Sequence, residues 1–405
     1  MVGQLVIHIG DSKTGSSSIQ KVLFERRWRA SDLSIAYPPQ LSSFRLANRL
    51  LEPRKSLTRI RALQDLGNWV AQAEGDFAVI SAEQFSRVEP AEMDRVLRKF
   101  VPGKGGTARL IACVRPHPHR FPAAFAQRLR AGFCLGTMDK FQDRALAKGA
   151  LTYAPRFAAW HKVFGERFTL RPFLRDQFFR GDVVADFIHS VTGHPTFTTG
   201  GTTVANESVS LPGLTAIRAV QRCFTESGLS SRLHHTLGRE LAQRINQAGF
   251  RADQKLRLHD SLARKLAVAC LADARALDRM FFADQPILEP ALDVPPGAYL
   301  EQAQSLDIGC YFPARVIEEI QARATVLGGF LKDEPKGIWQ ALEIARGQAP
   351  QKSVEKSGRK PGRPAGARLA EVLRQLDALG AVITGAAEPE TRQGLAGCHD
   401  RIRSG

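Results

Sequence analysis

Short apolar runs, each ending in a polar turn, alternate with longer amphipathic stretches through the first half of the chain. The run Leu5-Val6-Ile7-His8-Ile9 is rich in β-formers and stops at Gly10. After a polar loop, Ile19, Val22 and Leu23 recur at three- and four-residue spacing, the period of a helix. Residues 77–80 (Phe-Ala-Val-Ile) and 110–114 (Leu-Ile-Ala-Cys-Val) are similar apolar runs. Continuous apolarity over so few residues is the mark of parallel strands buried on both faces. Phe168-Thr169-Leu170 predicts a fourth strand, and residues 182–192, 212–249 and 253–282 carry helical periodicity. Strand, glycine-containing loop, then helix is the opening of a phosphate-binding α/β unit. The expected fold is α/β: a nucleotide-binding, P-loop-like parallel sheet flanked by helices, with a helix-rich second half. No internal repeat is present.

The pattern predicts one domain over residues 1–345. The stretch 346–367 changes character, because Lys352, Lys356, Arg359, Lys360 and Arg363 stand among Ser, Gly and Pro with almost no apolar partner. A segment of that composition cannot bury enough surface to offset its ordering entropy, so a basic disordered linker is expected. Beyond it, Leu369, Val372, Leu373, Leu376 and Leu379 trace one face of a short helix within 368–405.

Charge narrows the partners. The chain of 405 residues carries a net charge of +17, of which residues from Gln348 onward supply +4 (10 Lys+Arg against 6 Asp+Glu) and the rest +13. A basic globular part favours anionic ligands without choosing among nucleotides, acidic polysaccharides, nucleic acids and membrane surfaces. The six cysteines (Cys113, Cys134, Cys223, Cys270, Cys310, Cys398) show no C-x-x-C spacing. They read as reduced thiols rather than a disulfide framework or zinc site. The chain enters a strand at once, without a charged leader, and no apolar run reaches the roughly 20 residues a membrane span needs. The expected location is cytoplasmic, with no membrane span and no metal.

The loop after the first strand reads Gly10-Asp11-Ser12-Lys13-Thr14-Gly15-Ser16-Ser17-Ser18-Ile19-Gln20. Gly10 and Gly15 permit tight backbone turns. Amides around Thr14–Ser17 at the head of the next helix suit an anion, and the hydroxyls of Thr14, Ser16, Ser17 and Ser18 add donors. In a nucleotide-triphosphate loop, G-x-x-x-x-G-K-[ST], lysine directly follows the second glycine. Here Ser16 takes that position and Lys13 lies inside the loop.

His8, Gly10, Lys13, Thr14, Gly15, Ser16, Ser17, Ser18, Ile19 and Gln20 together form H-x-G-x-x-K-T-G-[ST]-[ST]-S-[IL]-Q. This resembles the 5′-phosphosulfate loop of sulfotransferases that use 3′-phosphoadenosine 5′-phosphosulfate (PAPS), in particular their bacterial carbohydrate and exopolysaccharide branch. The resemblance implies that Lys13 contacts the bridging oxygen of the leaving phosphate, with Gly15, Ser16 and Ser17 on the 5′-phosphate. It implies PAPS as co-substrate and a carbohydrate or similar hydroxyl as acceptor.

The family's 3′-phosphate segment is matched by Arg115, Arg120, Phe125 and Gln127, but Ala123 stands where its serine belongs. A hydrogen bond to a charged group contributes roughly 1.5–3 kcal/mol, so His117, His119 or Arg120 must compensate or the site is weaker. Ser81-Ala82-Glu83 resembles the family's S-x-E block, which makes Glu83 the first candidate for general base and His8 a lesser one. Blocks around Tyr153-Ala154-Pro155-Arg156, Trp160, Arg171-Pro172-Phe173, residues 181–187 and residues 206–210 extend the resemblance, in order only, to about residue 285.

Two other classes compete. A P-loop-type kinase or NTPase shares the opening, but this chain lacks the lysine after Gly15 and an apolar run ending in a magnesium-binding aspartate that such a protein needs. A catalytically impaired nucleotide-binding protein with a DNA-binding tail is the other, since residues 358–364 (Gly-Arg-Lys-Pro-Gly-Arg-Pro) resemble an AT-hook that would lay Arg in a minor groove. Such a tail would bind DNA or another anionic surface weakly.

Overall fold

A computed structural model describes residues 2–11, 13–200, 208–332, 342 and 363–386. Five parallel strands form the central sheet: β1 (Gln4–Ile9), β3 (Ile35–Ala36), β4 (Phe77–Ala82), β5 (Arg109–Val114) and β6 (Phe168–Pro172). Their spatial order is β3-β4-β1-β5-β6. A separate antiparallel pair joins β2 (Trp28–Arg29) to β7 (Thr198–Thr199). The α/β class read from the apolar runs is the observed one. All four predicted strands are present, each longer by one to two residues at one or both ends.

The two-residue repeat of the strands sorts side chains to two faces. Leu5, Ile7, Ile9, Ala78, Ile80, Leu110 and Ala112 pack against helices α2 (Phe44–Leu50), α3 (Leu57–Gln72) and α4 (Pro90–Phe100), and against α7 (Ala154–Phe164) and α11 (Asp260–Phe281). Val6, Val79 and Ile111 face α1 (Ser16–Phe24) and α8 (Val183–Thr192). Each large side chain buried this way contributes about 1.5–3 kcal/mol. Trp160, Phe85 and Phe157 are among the largest that are fully enclosed. Local signals set the helix ends. Asp182 accepts from the amides of Val184 and Ala185 at 2.9 Å, and Gly193 closes α8 with φ of 67°.

Within the chain, two compact units can be distinguished. The first comprises Met1–Phe121, Ala145–Asn206 and Ala263–Pro295; the second comprises Pro122–Arg144, Glu207–Leu262 and Pro296–Gly405. Because each unit is assembled from three separated segments, no composition shift along the chain marks the division. The second unit is built on α9 (Leu211–Glu226), α10 (Ser231–Gln247), α12 (Ala314–Lys332) and a last helix, Arg363–Thr384. The run 212–249, read as one helical stretch, breaks at Gly228 (φ of 73°) and restarts under a Ser230 cap.

Two expectations change. The last helix begins at Arg363, inside the stretch 346–367 read as linker, because Pro364 is tolerated in a first turn and Ala- and Leu-rich sequence follows. Val372, Leu376, Leu379 and Ile383 are its buried stripe. Residues 343–362, which carry most of the basic hook, lie outside the described residues. Cys113, Cys134, Cys223 and Cys270 are free and buried, but Cys310 is disulfide-bonded, which irregular cysteine spacing could not reveal. No described helix is long and apolar enough to cross a membrane.

Helix α3 crosses the end of α4 at Gly67, where an added Cβ would stand 2.1 Å from the carbonyl oxygen of Phe100. Backbone cannot yield there without moving a helix. Gly67→Ala should therefore lower stability by about 1–3 kcal/mol in urea unfolding, despite alanine's better helix propensity. An unchanged or raised midpoint would mean that the two helices do not meet this closely.

Candidate functional site

The carboxyl ends of β1, β4 and β5 lie side by side, the edge at which open α/β sheets collect ligands. Each strand delivers one part of the site, and all of these parts belong to the first unit. Ile9 pairs with Ala82, and the Gly10 amide donates to the Ala82 carbonyl at 3.2 Å, so the ladder carries Gly10 up to Glu83. A Cβ at Gly10 would meet Ser16 Oγ at 2.6 Å and the Cα and Cγ of Glu83 at 3.1 Å. Only glycine lets the loop and the carboxylate come this close.

Beyond Gly10 the loop turns on two left-handed residues, Lys13 (φ of 69°) and Gly15 (φ of 73°). That conformation suits Gly15 but costs a lysine on the order of 1 kcal/mol, strain of the kind held at functional sites. Thr14 is buried and its Oγ1 donates to the Asp11 carbonyl at 2.7 Å, closing the loop on itself. Gly15 is the N-cap of α1, and no side chain caps that helix. Its carbonyl accepts the amides of Ser18 and Ile19. Ser16 is 2% exposed and its Oγ has no hydrogen-bond partner, whereas Ser17 is exposed. The head of α1 thus combines a positive dipole end with a buried, unanswered hydroxyl.

Arg115 follows β5 directly. Its Nη1 donates to the Lys13 carbonyl at 3.3 Å, and its guanidinium lies 5.4 Å from the centre of the Phe173 ring. Phe173 in turn stands 3.1 Å from where a Gly15 Cβ would be. The segment after Arg115 forms helix α5 (His117–Arg130), whose first turn carries Arg120. Arg120 stacks on Tyr153 at 4.9 Å and reaches Asp11 Oδ1 at 3.5 Å. Gly10, Lys13, Thr14, Gly15, Ser16, Glu83, Arg115 and Arg120 are therefore brought to one sheet edge. Ala123, Phe125 and Gln127 belong to the second unit.

Several participants carried no recognisable signal in the sequence. Asp11, 4% exposed, binds Arg156 through two contacts, Nη2–Oδ2 at 2.7 Å and Nη1–Oδ1 at 3.4 Å. Asp273 accepts the amides of Tyr153 and Ala154, fixing the start of α7 and hence Arg156. The same carboxylate lies 3.0 Å from His117 Nε2, and the His117 ring stacks on Tyr153 at 4.3 Å. His117 Nε2 is also 3.0 Å from the Leu151 carbonyl, so this nitrogen serves the scaffold rather than a phosphate. Burial and the neighbouring charge of Arg115 lower the His119 pKa, and Asp176 opposes them. Only Arg156 could have been suspected, from its place in the Tyr-Ala-Pro-Arg block.

Burial pushes the Glu83 carboxyl above its ordinary pKa; the charges of Lys13 and Arg120 oppose the rise, and Asp11 adds to it. His8 is fully buried on β1, with Nδ1 2.8 Å from Ser81 Oγ, which also accepts from Gln20 Nε2 at 3.0 Å. These contacts tie β1 and α1 to β4 through Ser81. Among the described residues no group of three or more His, Cys, Asp or Glu could hold a metal ion. A separate cleft of about 700 Å³ is lined by Arg54, Arg59, Arg95, Glu89 and Glu92. Its three arginines all pair with Glu92, so it offers an anion little.

The His8 environment makes a pH prediction. Burial lowers its pKa from 6.5 to about 4. The unfolded chain therefore binds the proton near pH 6.5 while the fold resists it, so stability rises with pH between about 4 and 6.5 and falls as acid is added. The full effect is about 3 kcal/mol. Urea unfolding of wild type and His8→Asn across that window should give a flatter profile for the variant; parallel profiles would refute the assignment.

The chain matches no protein-family model, no curated protein and no solved structure.

Proposed function

We propose that the protein is a PAPS-dependent sulfotransferase that moves a sulfuryl group to a hydroxyl of a carbohydrate or similar acceptor. The observation that supports it most is the meeting of the two cofactor segments, with Arg115 Nη1 on the carbonyl of Lys13 at 3.3 Å. Segments some 100 residues apart, singled out as the 5′- and 3′-phosphate binders, converge as one nucleotide bearing both phosphates would require.

On this reading the protein's task is positioning and charge stabilisation, because the moving sulfuryl group is nearly planar between entering and leaving oxygens. The head of α1 and Ser16 hold the 5′-phosphate, while Arg115 and Arg120 hold the 3′-phosphate. The acceptor oxygen attacks sulfur as its proton passes to Glu83. The sulfur–oxygen bond to the phosphate breaks, and its electron pair stays on the phosphate oxygen beside Lys13. Glu83 suits the base role because it lies against the loop at Gly10 and its raised pKa gives it more proton affinity than an ordinary glutamate.

Thermal denaturation tests the ligand class. Adenosine 3′,5′-bisphosphate should raise the unfolding temperature and ATP with magnesium should not; the reverse result would favour a kinase or NTPase. Lys13→Ala should lower turnover about a hundredfold with a smaller change in nucleotide affinity, since leaving-group charge grows in the transition state. A fully active variant would remove Lys13 from the mechanism.

The base makes its own prediction. A general base must be ionised, so kcat/KM should fall as pH drops through the Glu83 pKa, with the acid limb above the ordinary glutamate range. Glu83→Gln should abolish most turnover while leaving bisphosphate affinity near that of wild type. An active Glu83→Gln enzyme with the same acid limb would place the base elsewhere.

A further inference from the structure

Asp11 stands in the middle of a loop that otherwise gathers positive charge and anion donors. Its carboxylate is 6% exposed and takes two guanidiniums, Arg156 in two-point contact and Arg120 at 3.5 Å. Such paired contacts fix direction as well as distance. Both arginines also lie near aromatic rings, Arg120 at 4.9 Å from Tyr153 and Arg156 at 5.9 Å from Tyr153 and 4.6 Å from Phe157. Yet the Nε of each guanidinium is buried with no acceptor, as is the Oγ of Ser16 on the same loop. Buried donors of this strength are seldom left unanswered. Three of them stand around one loop, two on arginines that Asp11 also contacts, Arg156 through Nη1 and Nη2 and Arg120 through Nη2.

We infer that Arg156 is a further anion-contacting residue of this site and that Asp11 is the positioning residue that holds it, with Arg120, against the phosphate loop. The inference rests on the phosphate-loop reading above and adds a residue to it. Asp11 has two opposing effects on an incoming anion: it repels it, and it orients the cations that attract it. Orientation dominates while Arg156 is present, because a long, 30% exposed arginine would otherwise spend its time in solvent. Without Arg156, repulsion outweighs the remaining hold on Arg120.

The test is a binding cycle on the full chain, with calorimetric titration of two probes, adenosine 3′,5′-bisphosphate and inorganic pyrophosphate. Arg156→Gln should weaken both about tenfold or more, the loss expected for a charged hydrogen bond. Arg156→Lys, which keeps charge without the two-point fork, should fall between. Asp11→Asn alone should weaken binding by about threefold to tenfold on the same basis, whereas added to Arg156→Gln it should tighten binding. That change of sign is something a purely structural role would not produce. Tighter binding by Asp11→Asn alone, or equal losses in both backgrounds, would overturn the positioning role. Unchanged affinity for both probes in the Arg156 variants would overturn the contact. Should Asp11→Asn fail to fold, the Gln and Lys variants of Arg156 still decide that contact. Arg156-dependent binding of pyrophosphate without any preference for the bisphosphate would keep this inference and sink the sulfotransferase reading; binding of neither probe would sink both.

Discussion

A carboxylate taken out of water must be paired or give up its charge. Asp11, 4% exposed at the end of the first strand, meets that constraint with Arg120 and Arg156. Much of the surrounding structure serves those two partners. Arg120 needs a helix that begins beside the loop, so α5 starts two residues after Arg115. Arg156 needs the first turn of α7, which Asp273 anchors by accepting the amides of Tyr153 and Ala154. The Tyr153 ring between them is held from behind by His117, itself tied to Asp273. A single acid on α11 thus sets the geometry of two arginines that answer to another acid on the loop. Removing Asp11 would leave two like charges close together with no carboxylate between them.

The sheet could be read directly from the sequence because buried parallel strands leave the simplest trace, four to six apolar residues between polar turns. Leu5–Ile9 and the runs at 77–80 and 110–114 have it, and each appears as a strand. Helix α5 left no such trace: Pro118 and Pro122 within its first six residues disguise the helical period. Strand β3 has two residues and no pattern to detect. The division into two units was invisible for a different reason. Each unit is assembled from distant segments, and a linear reading sees boundaries only where composition changes.

At the site, the loop was legible because backbone requirements restrict residue choice. Gly10 and Gly15 are needed for close approach and left-handed φ, and their spacing survives in the sequence. Glu83 was legible from its strand-end position. Ion pairs leave little record: Asp11 and Asp273 are ordinary charged residues in sequence, Arg156 stood out only through its Tyr-Ala-Pro-Arg block, and their convergence is what distinguishes them. His8 was open to misreading, since a histidine near a glycine loop suggests chemistry. Its contact with Ser81 on the neighbouring strand and its complete burial tie it to the scaffold.

The placement of cations bears on the chemistry proposed. Arg115 is fixed by the Lys13 carbonyl and the Phe173 ring, and Arg120 and Arg156 are fixed by Asp11. Lys13 differs: the loop strains its backbone to φ of 69°, while its charge sits at the end of a flexible four-carbon stem. Fixed guanidiniums suit groups whose charge is the same before and after reaction, such as the phosphates of a nucleotide. On the proposed reading Lys13 answers charge that appears only as a bond breaks, and only such a difference between ground and transition state accelerates a reaction. In an NTPase loop the lysine follows the second glycine and rides on the helix. Here it precedes Gly15, on the strained turn facing Glu83, whose pKa its charge draws down. Glu83 and Lys13 thus lie within electrostatic reach of each other beside Gly10, which agrees with the proposed transfer between two oxygens.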